Sequence, residues 1–266
     1  MNQEKQNIKA LLFDYGGTLD SGGRHWAHIL REGWAAAKVN ISGLEAWRDA
    51  YIYAERALDG SHIILKNDNF IALLKKKMSI ELGRLSATGA IISPGYFGAK
   101  KQAEAVNYAS AYCYAYARRY MERSIAVLNI LAKHFTIGLV TNFYGNIRTV
   151  MRNFGLRPEM MSVIVESAEV GVRKPSPRIY EMAVEQLGLN PNDVIVIGDS
   201  MTNDIIPATS LGCKAIWFKG EGWNANQQYD SLPDGVVTIS NIEELLPILL
   251  PDETRSQQEQ PQQSQS

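Results

Sequence analysis

IKALLFDYGGTLD, residues 8–20 of the chain, combines a short apolar run with an aspartate and two adjacent glycines. An apolar run of this length, followed by turn-forming residues, is typical of a buried β-strand. The strand would end at Phe13 and present Asp14 at its carboxyl end, just before the Gly16-Gly17 turn. The stretch therefore predicts a buried strand that delivers a carboxylate to a glycine turn.

The same pattern recurs along the second half of the chain. Three more apolar runs end in polar residues, at residues 136–140, 162–165 and 194–197, and two further strand-like segments cover 214–218 and 236–239. Between the runs, apolar residues recur at helical spacing, from Ile147 to Phe154 and from Ile179 to Leu187. Alternating strands and helices predict an α/β fold with a doubly wound parallel sheet. The ligand site of such a sheet lies beyond the carboxyl ends of its strands.

One long interval breaks this alternation. Residues 21–123 carry helical patterns and no apolar strand run bounded by turn signals, so we predict a helical module inserted into a core of residues 1–20 and 124–250. Residues 251–266 contain no apolar residue and are predicted to form a disordered tail.

The inserted module is rich in aromatic residues. Four tyrosines recur every fourth residue and would share one helix face: Tyr108, Tyr112, Tyr116 and Tyr120. We expect these rings to pack within the protein, and a stacking platform for substrate is the alternative. The same two interpretations apply to Trp26, Trp34 and Trp47.

Composition narrows the classes of partner. The 266 residues include 27 Lys and Arg against 28 Asp and Glu, and this net charge of −1 gives no footprint for nucleic acid or an anionic membrane. The two cysteines, Cys113 and Cys213, are expected to be buried thiols of a reducing compartment. Because the sequence contains neither a signal-peptide pattern nor an apolar run of membrane-spanning length, we expect a cytoplasmic protein with a small-molecule substrate.

Four groups of polar residues follow the predicted strands. They are Asp14, the pair Thr141 and Asn142, Lys174, and the pair Asp199 and Asp204. Each has a structural interpretation of its own, such as a helix cap for Asp199 or a turn at Thr141. A carboxylate, a hydroxyl beside a backbone amide, an ammonium and a carboxylate pair together are what phosphoryl transfer through a covalent aspartyl intermediate requires.

These segments, in this order, resemble the four motifs of the haloacid dehalogenase-like (HAD) hydrolase superfamily. They are LLFDYGGTLD at 11–20, IGLVTN at 137–142, the lysine of VRKP at 172–175 and VIGDSMTND at 196–204. The resemblance covers about 150 core residues. It implies a Rossmann-like core with a helical cap between the first and second motifs.

The resemblance also implies a role for each matching residue. Asp14 would be the nucleophile, and Lys174 would neutralise charge between Asp14 and the phosphoryl group. The phosphate would be bound by Thr141, Asn142 and Gly17. The resemblance implies Mg²⁺ as cofactor, held by Asp14, Asp199, Asp204 and the backbone carbonyl of Gly16.

One position departs from the motif. In the phosphatases and phosphomutases of this superfamily, the residue two after the nucleophile is a second aspartate that protonates the leaving group, and here it is Gly16. General acid catalysis is worth about 10²- to 10⁴-fold, so alkyl phosphate esters are expected to be poor substrates. The nearest carboxylate along the chain that could replace this general acid is Asp20, but the favoured interpretation is that Asp20 belongs to the turn after the strand.

The expected function is Mg²⁺-dependent hydrolysis of a small phosphorylated metabolite through an aspartyl-phosphate. Three kinds of reaction tolerate Gly16. An acyl phosphate or other activated ester would leave without a proton, and a dehalogenase releases halide. A phosphonatase-like enzyme cleaves a carbon–phosphorus bond after a cap lysine forms an imine. The candidates for that lysine are Lys66, Lys75, Lys76, Lys77, Lys100 and Lys101. An alternative of another class is a catalytically silent binder of a phosphorylated ligand or a partner protein.

Overall fold

The structure is a computed structural model that describes residues 8–59, 61–92, 98–223 and 231–251. Its centre is a six-stranded parallel sheet with the strand order β3-β2-β1-β4-β5-β6. The strands are β1 Ala10–Phe13, β2 Thr136–Thr141, β3 Val163–Glu166, β4 Val194–Gly198, β5 Lys214–Phe218 and β6 Val237–Ile239. The sheet confirms the predicted α/β fold, with each strand within two residues of its predicted position.

The register of the central strands places the candidate site. Phe13, the last residue of β1, pairs with Leu139 on one side and Ile197 on the other. The chain order reverses between β1 and β4, and a ligand crevice is expected at such a switch point. Asp14 and Asp199 follow directly after these two strands.

Helices cover both faces of the sheet. They are α5 Ile147–Asn153, α6 Ser167–Val170, α7 Arg178–Leu187, α8 Ile206–Ser210 and α9 Leu245–Leu249. Leu11 and Phe13 of β1 face a core shared with α5, whereas Ala10 and Leu12 face a core shared with α7 and α8. The strands are apolar on both faces because both are buried, as usual for parallel sheets.

The interval between β1 and β2 is helical, as predicted. It forms α1 Trp26–Ala36, α2 Leu44–Leu58, α3 Phe70–Ala87 and α4 Ala99–Leu131, which we call the helical insert. Helix α4 packs on both α1 and α3 and, with 33 residues, is about 50 Å long. It runs unbroken through residues 123 and 124, so the predicted boundary between insert and core falls inside one helix.

The structure also bears on the predictions for the cysteines, the tail and membrane-spanning segments. Cys113 and Cys213 are free and buried. Of the predicted tail, Pro251 is the last described residue, and 252–266 lie outside the described residues. Within the described ranges, no helix has both the length and the apolar character needed to cross a membrane.

Candidate active site

Asp14 lies at the carboxyl end of β1, where the sheet positions its backbone. Its N–H donates to the carbonyl of Ile197 at 2.9 Å, which continues the pairing with β4. The carboxylate is 4% exposed and accepts hydrogen bonds from Lys174 Nζ at Oδ1 and from Thr18 Oγ1 at Oδ2, the latter at 3.1 Å. Asp14 is therefore held in a fixed orientation at the edge of the sheet.

The Lys174 ammonium lies among three oxygen acceptors. Nζ donates to Asp14, to Asp204 Oδ1 at 2.7 Å and to the carbonyl of Val140 at 3.2 Å. Three acceptors match the three hydrogens of an ammonium group, so the buried charge is fully hydrogen-bonded. Burial opposes the charged form, but Asp14 and Asp204 outweigh it and raise the pKa of Lys174 above its usual range.

The side chain of Asn142 fixes the backbone of Lys174. Its Oδ1 accepts from the Lys174 N–H at 2.8 Å, and its Nδ2 donates to the Lys174 carbonyl at 3.0 Å. The sequence pointed to the backbone amide of Asn142 and gave no indication of this contact. Thr141, the last residue of β2, is buried and lines the same cleft.

Three carboxylates converge beside the lysine. Asp14, Asp199 and Asp204 each offer an oxygen, and these oxygens lie within 4.8 Å of one another. The Thr18 hydroxyl lies 3.3 Å from Asp199 Oδ1 and accepts from the Asp199 N–H at 3.0 Å, so it links β1 to β4. Thr18 belongs to the first motif, but its role as a link was not predicted.

Asp204 is fixed by two donors besides Lys174. The Tyr180 hydroxyl donates to its Oδ1 at 2.7 Å, and the Ser200 N–H donates to its Oδ2 at 3.0 Å. Two neighbouring glycines leave room for this packing. A Cβ on Gly17 would lie 2.5 Å from the Asp199 carboxylate, and one on Gly198 would lie 2.5 Å from Asp204.

Crowded negative charge changes the acidity of the site. Burial raises the pKa of Asp14 to about 6, with Lys174 acting in the opposite direction and Asp204 adding to the rise. Burial, followed by the charges of Asp14 and Asp204, raises the pKa of Asp199 well above its usual range. When all three carboxylates are ionised, the single ammonium of Lys174 leaves two of their charges unbalanced, and this repulsion favours protonation of the cluster.

A sequence profile of haloacid dehalogenase-like hydrolases matches residues 8–212, about three quarters of the chain and all four strand-end segments. The chain belongs to this family. The predicted resemblance is confirmed.

Two curated proteins to which this HAD-like hydrolase is similar are named as a nucleotidase and a phosphatase. Pyrimidine 5'-nucleotidase YjjG of Escherichia coli is 30% identical over 132 residues, which are 47% of this chain and 55% of the relative. Glyceraldehyde 3-phosphate phosphatase of Pyrococcus furiosus is 34% identical over 80 residues, 30% of this chain and 32% of the relative. The matched part thus spans about half of the first relative and a third of the second.

The fold is shared with solved structures over most of the chain. A 2-haloacid dehalogenase from Pseudomonas syringae pv. Tomato superposes with a TM-score of 0.50, covering 92% of this chain and 99% of its own, at 20% identity. This likeness concerns the fold alone.

A cleft of about 1150 Å³ lies between the strand ends and the helical insert of this HAD-like hydrolase. The insert side carries an ion pair between the buried Lys77 of α3 and the part-buried Glu55 of α2. The Tyr144 hydroxyl donates to the second oxygen of Glu55 at 2.8 Å, and Lys77 Nζ lies 4.5 Å from the Tyr51 ring centre. Among the six lysines considered from the sequence, Lys77 is the one that lines the described cleft.

Of the tryptophans and tyrosines considered from the sequence, some pack inside the protein, one lines the cleft and others are exposed. Trp34 and Trp47 are buried, whereas Trp26 lines the cleft together with Asp20. The four tyrosines lie away from it: Tyr108 and Tyr112 are exposed, Tyr112 contacts Glu32 at 3.4 Å, and the Tyr116 and Tyr120 rings are 5.0 Å apart. The packing prediction therefore holds for Tyr116 and Tyr120 and is wrong for the exposed Tyr108 and Tyr112, and none of the four lines the described cleft.

Proposed function

We propose that this HAD-like hydrolase cleaves small phosphorylated compounds through an aspartyl-phosphate on Asp14. The observation that carries the proposal is the position of Asp14 at the cleft floor, between the Lys174 ammonium and two further carboxylates. Such a constellation serves phosphoryl transfer, in which positioning and charge stabilisation supply most of the catalysis.

In the first step, an Asp14 oxygen would attack phosphorus in line as the bond to the leaving group breaks. Lys174 would stay protonated throughout and offset charge between Asp14 and the phosphoryl oxygens. Thr141 would donate its hydroxyl to one of these oxygens, beside the backbone N–H of Asn142. Water would then attack phosphorus, release phosphate and free the Asp14 carboxylate.

Gly17 has a different contribution in this proposal. Its N–H already donates to Asp20 Oδ1 at 2.9 Å. Its contribution beside the proposed phosphate site is the absence of a side chain, because a Cβ at position 17 would collide with the Asp199 carboxylate. The φ of +100° is a further reason for glycine at this position.

The donor set fits Mg²⁺ as the cofactor. Three carboxylates with one compensating ammonium leave two unbalanced negative charges, and carboxylate oxygens are the ligands that a hard dication prefers. Asp14, Asp199, Asp204 and the Gly16 carbonyl would hold the ion. When bound, it would reduce the repulsion between the Asp14 carboxylate and an anionic substrate.

The surroundings of Lys77 and the carboxylate cluster argue against the phosphonatase-like and dehalogenase alternatives. Imine formation needs a neutral amine, but the charge of Glu55 outweighs burial and raises the pKa of Lys77 well above its usual range. A phosphonatase role for Lys77 is therefore disfavoured. A metal-independent dehalogenase would have no need of the carboxylate cluster around Asp199.

The relatives support the same class of substrate, since both are named for the hydrolysis of phosphate esters. We further propose the predicted division into a core of residues 1–20 and 124–250 and a cap of residues 21–123. A cytoplasmic location is proposed on the two free, buried cysteines.

The test measures hydrolysis of p-nitrophenyl phosphate and acetyl phosphate, with and without Mg²⁺, by the wild type and by Asp14→Asn. We expect a Mg²⁺-dependent burst of nitrophenolate in the wild type and none in Asp14→Asn. The matched control is Asp49→Asn, an exposed aspartate of α2 paired with Arg84, which should retain the burst. If the wild type turns over neither ester but binds phosphate, the chain is a silent binder.

A further inference from the structure

The Asp20 carboxylate is buried and lines the same cleft as Asp14. Its Oδ1 accepts from the Gly17 N–H, and the Trp26 indole N–H lies 3.0 and 2.9 Å from its two oxygens. Trp26 is the first residue of α1, so the carboxylate contacts both the core turn and the helical insert.

The position of Gly16 relates this carboxylate to the missing acid. A Cβ built on Gly16 has Trp26 Cδ1 as its nearest neighbour, at 4.0 Å, and Cδ1 is bonded to the nitrogen that donates to Asp20. A side chain at position 16 would thus have Trp26, the hydrogen-bond partner of Asp20, as its nearest neighbour.

We propose that Asp20 is the general acid and base of the reaction, in place of the motif's second aspartate, whose position is occupied here by Gly16. The inference rests on the proposed function, because it needs the aspartyl-phosphate on Asp14. Protonated Asp20 gives its proton to the leaving-group oxygen as the P–O bond breaks and the bond from Asp14 to phosphorus forms. The Asp20 carboxylate then takes a proton from the water that attacks phosphorus, which restores both aspartates and releases phosphate.

The surroundings of Asp20 permit both protonation states near neutral pH. Burial raises the pKa of Asp20 to about 7, and the Gly17 and Trp26 donors limit this rise. The titratable groups that face it are Asp14, whose charge adds to the rise, and the buried phenol of Tyr15. A general acid works best when its pKa lies close to the operating pH.

The variant Asp20→Asn separates chemistry from structure. An asparagine oxygen can still accept from Gly17 and Trp26, but the amide has no acidic proton to give. For an alkyl phosphate such as propyl phosphate, we expect kcat/KM to fall by about 10²- to 10⁴-fold. The nitrophenolate burst from p-nitrophenyl phosphate should persist, because that leaving group needs no proton.

Gly16→Asp in the Asp20→Asn background supplies the acid from the neighbouring position. We expect this double variant to regain at least about tenfold in propyl phosphate turnover. The proposal is overturned if Asp20→Asn leaves propyl phosphate turnover unchanged, or if it lowers that turnover and the burst equally. A wild type that releases nitrophenolate in neither a burst nor steady turnover would instead defeat the proposed function, and this inference with it.

Trp26→Phe tests the assignment by its pH profile. Loss of the indole donor favours the protonated acid, so the alkaline limb of propyl phosphate turnover should move upward by about one pH unit. Trp47→Phe, a buried tryptophan of α2 outside the cleft, is the matched control and should leave the limb in place. An unmoved limb in Trp26→Phe would contradict the role of Asp20.

Discussion

At the scale of single residues, the geometry of the site depends on residues that position the charged groups through hydrogen bonds. Lys174 follows β3 in a loop rather than in a regular element, yet its ammonium must meet two buried carboxylates. The amide of Asn142 makes this possible because it pairs with both backbone groups of Lys174, as a neighbouring strand would.

Asn142→Asp tests this arrangement. The carboxylate keeps the acceptor for the Lys174 N–H but places an oxygen against the Lys174 carbonyl, so the loop should shift. We expect kcat/KM for p-nitrophenyl phosphate to fall by about 10- to 100-fold, a loss of about 1.4–2.7 kcal/mol. Asn192→Asp, in the exposed turn before β4, should behave as wild type, and equal losses in both variants would contradict the prediction.

At the scale of elements, buried charges connect helices and strands. Lys77 joins α3 to α2 through Glu55, and it also lies near Glu81, whose Oε1 has no hydrogen-bond partner. Burial raises the pKa of Glu81 to about 8, so this carboxyl is largely protonated at neutral pH. Lys77 thus lies between an ionised partner, Glu55, and a neutral acid, Glu81.

Lys77→Met should destabilise the fold by about 1–3 kcal/mol, because the part-buried Glu55 carboxylate loses its ion-pair partner and keeps the Tyr144 hydroxyl as a donor. Lys77→Met combined with Glu55→Met should recover most of this loss, because no charge then remains unpaired. Urea unfolding followed by circular dichroism measures both. The exposed Lys75→Met is the control, and a double variant no more stable than the single one would count against the ion pair.

Glu166, at the end of β3, links its strand to α5. It accepts from the N–H groups of Gly145 and Ile147 at 2.6 and 3.3 Å, while burial raises its pKa to about 7. The folded protein therefore binds more protons here than the unfolded chain between about pH 4.5 and 7. This group makes the fold less stable as pH rises through that window.

Glu166→Gln keeps both acceptor contacts and removes the titration. Relative to wild type, its free energy of unfolding should rise by about 1–2 kcal/mol between pH 5 and pH 8. Urea unfolding at the two pH values gives the difference. The exposed Glu104→Gln of α4 should have no such trend, and a pH-independent offset in Glu166→Gln would argue against the raised pKa.

At the scale of the whole molecule, the carboxylate cluster predicts that Mg²⁺ stabilises the fold. An ion at a hundredfold excess over its Kd adds about 2.7 kcal/mol, or about 5–10 °C in Tm for a chain of this size. Differential scanning calorimetry with MgCl₂, against NaCl of equal ionic strength, measures the shift. Asp199→Asn should abolish it and Asp49→Asn should preserve it, whereas a shift retained in Asp199→Asn would exclude the cluster as the metal site.

The sequence predicted the sheet and the strand-end residues because both depend on local patterns. Apolar runs ending in polar residues located the strands, and parallel topology brings their carboxyl ends to one edge. The Thr18 link, the Asn142 clamp and the position of Lys77 depend on contacts across as many as 181 residues of chain. Such contacts have no local signal. Asp20 was considered from the sequence as a replacement acid, but a turn role was favoured.

The long helix α4 has a mechanical consequence. Its Ser124 hydroxyl donates to the Leu19 carbonyl at 2.7 Å, and Arg123 pairs with Glu243, so this end of the helix is fastened to the core. The other connection of the insert is a turn with positive-φ glycines at 17, 22 and 23, which bends more easily than a helix. The insert is therefore joined to the core by one rigid helix and one flexible turn. A tilt of the helix would displace the Leu19–Asp20 peptide, to which Ser124 is hydrogen-bonded.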